Sequence, residues 1–125
     1  KGLLNMSGKF CVTLTSGKND CDKATVAFVV ANAAAASDKE TVVFLSIEAV
    51  RLSQTGYADD VREDGFAPLK DLMENFVKAG GKIWVCSPCF KKRGLEEAKL
   101  VSGATIVGGA KLVEFLSAGS PCVSY

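Results

Sequence analysis

The sequence contains no histidine. That absence removes Ser-His-Asp and Cys-His catalysis, and every His-ligated metal site, from consideration. An excess of either charge is also missing, since 15 Lys+Arg stand against 14 Asp+Glu for a net charge of +1. A protein built to hold nucleic acid carries a basic surplus, so no nucleic-acid partner is expected. Long hydrophobic runs are absent. The longest near-apolar stretch, Ala24 to Ala36, is interrupted by Thr25 and Asn32 and falls short of the ~18 residues that suggest a membrane span. It lies behind charged residues and too far into the chain for a signal peptide, so no membrane partner is expected. The five cysteines are odd in number and widely spread, unlike a secreted disulfide framework. A soluble, cytoplasmic protein in a reducing compartment is expected.

What remains is a chain of 125 residues, 48% hydrophobic and 23% charged. A chain of this size buries roughly two-thirds of its surface on folding, which suffices for a core without staples. Residues 9–125 are read as a single domain. Residues 1–8, with Met6 as a candidate start, are read as an N-terminal extension, a cloning scar or the trimmed end of a precursor.

Short apolar runs alternate with longer mixed ones. Phe10–Thr15, Thr41–Leu45, Lys82–Cys86, Thr105–Val107 and Cys122–Tyr125 read as strands. The alanine-rich run Asp22–Ser37 reads as a buried helix by its length and composition. From Phe66 to Ala79, Leu69, Leu72, Met73, Phe76 and Val77 follow helical spacing, with Pro68 in the first turn and Gly80-Gly81 at the end. Leu95–Val101 and Lys111–Leu116 are predicted as further helices. Residues 48–64 are polar and loop-like, with a short helical turn readable near Val50-Arg51-Leu52. Thr41–Leu45 is continuously apolar rather than alternating, the mark of a parallel strand covered on both faces. The pattern gives an α/β domain with helices on both faces of a parallel sheet. Chemistry in such sheets gathers at the carboxyl ends of the strands.

Cys86 stands at such an end, in Val85-Cys86-Ser87-Pro88-Cys89-Phe90-Lys91-Lys92-Arg93. A following helix and three nearby cations would favour thiolate, the nucleophilic form, so the expected pKa of Cys86 lies below the ordinary thiol value. Cys86 and Cys89 are the candidate catalytic residues. A lone reactive thiol suits covalent sulfur carriage, and the C-x-x-C pair suits dithiol–disulfide exchange. Either cysteine is also readable as a small apolar residue closing a buried strand. A closed zinc site needs four ligands, and Cys11, Cys21 and Cys122 are scattered single residues. No metal or cofactor is expected, and no disulfide among those three. Trp84 alternates with Cys86, so both side chains fall on one layer.

Read in order, several segments together resemble the DsrE/DsrF-like family. They are the strand Phe10–Thr15 with its Thr-Ser-Gly turn, the small-residue helix around Ala24–Ala36, and Val43-Phe44-Leu45 leading to Glu48-Ala49-Val50. Phe76–Gly81 with Lys82–Cys86, Cys86 through Arg93-Gly94, Gly103–Val107 and the helix Lys111–Leu116 complete the set. The resemblance covers about Lys9 to Tyr125. It implies a three-layer α/β/α sandwich around a five-stranded parallel sheet, and an oligomer of dimer, trimer or hexamer type. It also implies a cysteine at the Cys86 position that accepts a sulfane sulfur as a persulfide and passes it on, with sulfur donor and acceptor proteins as partners. Ala49 stands where glycine is usual in the family, and the family's relay subunits lack a second cysteine at the Cys89 position, although other branches carry C-x-x-C.

The expected function is accordingly a persulfide carrier or sulfurtransferase-like protein. The alternatives are a non-catalytic small-ligand-binding oligomeric module and a C-x-x-C dithiol oxidoreductase. Ser16 and Gly17, with a following helix N-terminus, are candidate anion-binding residues, although a plain strand-to-helix turn reads equally well there. Lys91 and Arg93 are the other anion-binding candidates. Val50, Leu52, Tyr57 and Val61 place apolar groups in the 48–64 loop, where they need cover. A neighbouring subunit is the expected cover, in a homo-oligomer with trimer or larger favoured over dimer.

Overall fold

The computed structural model describes residues 8–125. The N-terminal extension proposed for residues 1–8 therefore lies outside the described residues except for Gly8. Five strands, β1 (Lys9–Leu14), β2 (Glu40–Leu45), β3 (Lys82–Cys86), β4 (Ala104–Val107) and β5 (Cys122–Ser124), form one parallel sheet in the order β4-β3-β2-β1-β5. Four helices connect them: α1 (Cys21–Ala36), α2 (Leu69–Lys78), α3 (Ser87–Lys92) and α4 (Gly109–Ser117). The chain builds outward from β1 to β4, then returns to lay β5 on the free side of β1.

The helices divide between the two faces. Val12, Leu14, Val43, Leu45, Ile83 and Val85 pack beneath α1 and α2 in the larger core cluster. Cys11, Val42, Phe44 and Trp84 meet Phe115 of α4 on the opposite face. The Trp84 and Phe115 rings cross edge to face, 5.4 Å between centroids. This three-layer arrangement is why β2 is apolar without alternation: Thr41 to Leu45 are all buried.

Alanine spacing lets α1 lie close to both the sheet and α2. Asp20 caps it by accepting the Lys23 N–H at 3.0 Å, satisfying one of the first-turn donors. Asn32, which interrupts the apolar run, donates from Nδ2 to the carbonyls of Phe28 (2.8 Å) and Leu72 (2.9 Å), tying α1 to the start of α2. Phe28 and Phe76 stack edge to face across the same seam. Pro68 occupies the cap position of α2 rather than its first turn.

Two expectations change. Leu95–Val101 is not a helix; it holds one 3-10 turn, Glu97–Lys99. The segment is drawn instead against residues 53–55. Thr55 N–H donates to Lys99 O at 2.7 Å, Val101 N–H to Ser53 O at 2.8 Å, and the Gln54 amide exchanges hydrogen bonds with the Glu96 backbone. Long-range bonds of this kind outweigh a weak local helix preference. In the 48–64 region the helical turn around Val50–Leu52 is present, within a 3-10 helix Ile47–Ser53, but the expected exposure of its apolar residues is not. Its residues Val50, Leu52 and Val61 are buried in the chain's own core. The chain covers them itself, so they make no demand for a neighbouring subunit.

Gly81 fits against the Phe76 ring so closely that an added Cβ would overlap it. The Gly81→Ala variant should lose about 1–3 kcal/mol of stability, the usual cost of overpacking, as measured by urea denaturation.

Candidate functional site

Parallel pairing brings the carboxyl ends of β1, β2 and β3 to one end of the sheet, and with them Ser16-Gly17, Ile47-Glu48 and Cys86. Cys86 ends β3 and occupies the cap position of α3. It is half-buried and packs against both core clusters. Cys89 lies one turn further along α3 and is also half-buried. All five cysteines are free thiols.

The expected lowering of the Cys86 pKa is not found. Burial pushes its thiol above the ordinary value, because a thiolate loses solvation in the half-apolar site. The Cys89 backbone N–H pulls the other way, without forming a full capping hydrogen bond, and the Cys89 thiol pushes upward again. Of the neighbouring cations only Arg93 figures among the leading causes, and it comes last.

Glu48 holds Arg93 in an ion pair. Its carboxylate takes the Arg93 Nε at 2.6 Å on one oxygen and the Arg51 Nε at 2.8 Å on the other. Arg93 also donates from Nη1 to the Cys89 carbonyl at 3.3 Å. The Arg93 guanidinium is thus largely buried and ion-paired, with its positive field offset by the carboxylate. Hydrogen bonds from Arg93 and then Arg51 hold the Glu48 carboxyl below the usual glutamate value. Any stability these bonds give is therefore present above the unfolded glutamate pKa and lost as pH falls through the lower folded one.

The Ser16-Gly17 turn is similarly occupied. The Gly17 N–H donates to Asn19 Oδ1 and the Lys18 N–H to Tyr57 Oη, both at 2.8 Å. Gly17 is wedged against Tyr57 and the Glu48 backbone, where a Cβ would stand 2.8 Å from Tyr57 Oη. Lys18 pairs with Asp60 at 2.8 Å and lies over the Tyr57 ring. The Gly17 and Lys18 N–H groups thus have partners within the chain, and Ser16 is buried. Lys91 is exposed and lines a groove of about 600 Å³ beside α3 with Phe90, Leu95, Glu97 and Ile106. A second cavity, about 510 Å³, lies toward the amino ends of β3 and β4, among Leu52, Met73, Val77, Ile83 and Val101. Among the described residues no three Cys, Asp or Glu side chains gather as metal ligands, and no helix is long and apolar enough to cross a membrane.

Glu48 is the site residue that chemical reasoning from sequence missed. Its i,i+3 spacing to Arg51 was a visible signal, whereas its bond to Arg93 spans 45 positions.

The model of the DsrE/DsrF-like family matches residues 8–124. The chain belongs to that family. Among curated relatives of the DsrE/DsrF-like chain, uncharacterized protein MJ0760 of Methanocaldococcus jannaschii is 30% identical over 103 residues, 82% of this chain and 38% of that protein. Uncharacterized protein MJ0989 of the same organism is 33% identical over 55 residues, 44% of this chain and 48% of its own length. The chain thus spans less than half the length of either. The solved ychN protein of E. coli shares the fold at a TM-score of 0.67 and 15% identity, covering 94% of this chain and 99% of its own. MTH1491 of Methanobacterium thermoautotrophicum does so at 0.64 and 13%, covering 94% and 98%.

Two measurements follow from the electrostatics. The alkylation rate of Cys86 should climb about tenfold per pH unit from neutrality upward, as thiolate accumulates, and show no plateau below pH 9, since its pKa is raised from 9.0. Glu48→Gln leaves Arg93 unneutralised beside Cys86. Alkylation at neutral pH should then quicken by about threefold or more, as followed by peptide mass spectrometry.

Proposed function

We propose that this DsrE/DsrF-like domain is a sulfur carrier, with Cys86 as the residue that holds the transferred sulfur. The observation that carries this reading is a half-buried free thiol at the carboxyl end of β3 in a domain of a family associated with sulfur relay. The Cys86 thiolate attacks the outer, sulfane sulfur of a donor persulfide R–S–SH. The donor S–S bond breaks, R–SH leaves, and Cys86 carries –S–SH. An acceptor thiolate then attacks the outer sulfur, forms its own persulfide, and returns Cys86 as thiolate. Oxidation state is conserved through both steps, so no cofactor enters. Donor and acceptor proteins are the partners this scheme requires.

A raised pKa suits a carrier that stays protonated until a donor is engaged, because a persulfide is more acidic than its parent thiol and the charge is best borne after loading. The proximity of Cys89 favours a second reading, dithiol–disulfide exchange. In that scheme Cys89 attacks the inner sulfur of the loaded Cys86, releases hydrosulfide and leaves a Cys86–Cys89 disulfide.

The deciding measurement is intact mass after incubation with a sulfane-sulfur donor. The carrier reading expects one added sulfur atom on the native chain, none on Cys86→Ser, and a longer-lived persulfide on Cys89→Ser. Equal sulfur uptake by the native chain and Cys86→Ser would end it. A native chain that only loses two hydrogens would favour the dithiol reading.

A further inference from the structure

Cys11 and Cys122 are 111 positions apart in sequence, yet they are in-register partners on β1 and β5. Partners on adjacent parallel strands point to the same face with backbones about 4.8 Å apart, inside the roughly 4.4–6.8 Å window of Cα separations that a disulfide spans. Their surroundings differ. Cys11 has no exposed surface and sits among Val42, Phe44, Trp84 and Phe115, whereas Cys122 is exposed at the sheet edge. The register is pinned on both sides of the pair. Cys11 N–H donates to Pro121 O at 3.0 Å, Tyr125 N–H to Thr13 O at 2.8 Å, and Thr13 Oγ1 to Ser124 Oγ at 2.7 Å. The two backbones cannot separate unless β5 leaves the sheet. Burial, then the charge and hydrogen bond of the Cys122 thiol, push the Cys11 thiol up to about 12.

We propose that Cys11 and Cys122 form a second thiol site, separate from Cys86, that reacts with small-molecule disulfides of the glutathione type and closes into an intrachain bridge latching β5 to β1. The exposed Cys122 thiolate attacks one sulfur of the reagent. The reagent S–S bond breaks, one thiolate leaves, and a mixed disulfide stands on Cys122. Cys11, already alongside, loses its proton to solvent and attacks the Cys122 sulfur, expelling the second thiolate. Two electrons pass from the protein pair to the reagent, which is released as two thiols. The buried Cys11 makes the second step the slow one and base-accelerated, so the site stays open under brief or mild exposure and closes under sustained exposure.

The test uses the full chain carrying Cys86→Ser and Cys89→Ser, so that only the remaining thiols report. It is incubated with oxidised glutathione and read by intact mass and a non-reducing peptide map. The expected result is passage through one glutathionyl adduct on Cys122 to a chain lighter by two hydrogens, with the Cys11 and Cys122 peptides linked. Closure should run faster at pH 9 than at pH 7, reverse with dithiothreitol, and raise Tm by about 5 °C or more, as closing a long loop does. Adding Cys122→Ser should abolish both adduct and bridge. Arrest at the Cys122 adduct, no reaction, or a bridge through Cys21 would overturn the proposal. Should the serine background fold poorly, the native chain answers the same question, because the linked Cys11–Cys122 peptide is resolved from any Cys86–Cys89 product.

Discussion

A parallel strand cannot hand its chain directly to its neighbour. Each connection must travel back across a face of the sheet before the next strand begins. In this protein that requirement organises nearly everything else. It places α1 and α2 over one face and α4 over the other, so that β2 is buried on both sides. It also gathers the outgoing ends of β1, β2 and β3 at one end, which carries Gly17, Glu48 and Cys86 although they come from distant parts of the chain. Close approach at Gly17 and the 3-10 helix after β2 bring the Glu48 carboxylate within reach of Arg93, which closes α3.

The resulting site is restrained rather than activated. A thiol beside a guanidinium ordinarily becomes a better nucleophile. Here that guanidinium is ion-paired to Glu48, which also holds Arg51. Burial then dominates the Cys86 thiol. Partial burial therefore leaves Cys86 more protonated at neutral pH than an exposed thiol would be.

The sheet is legible in the sequence because a strand covered on both faces must be apolar throughout, and residues such as Val42, Val43 and Val85 satisfy that locally. Helix α1 is legible for a related reason: only small side chains allow a helix to pack tightly on two sides. Leu95–Val101 misleads because what holds it is the backbone of residues 53–55, with 44 positions between Thr55 and Lys99. The position of Cys86 is readable from its place after an apolar run. Its charge environment is not, since Lys91, Lys92 and Arg93 look alike in sequence and only the fold assigns Arg93 to Glu48. The apolar residues of the 48–64 loop look unsheltered for the same reason, their shelter being long-range. Cys11 and Cys122, which look scattered, are neighbours for the same reason again.

The strand order has a consequence for how the chain reaches its native state. β1 is made before the other four strands and occupies an interior place in the sheet, but one of its hydrogen-bonding edges has no partner until β5 is synthesised, 111 positions further on at Cys122. Until then that edge presents unpaired N–H and C=O groups at Cys11, Thr13 and Thr15, which later bond to Pro121 and Tyr125. An unpaired strand edge is a template for association with other chains, and pairings of such separation are the slow ones to form. Until β5 pairs, that edge of β1 is therefore the place in the sheet open to mispairing.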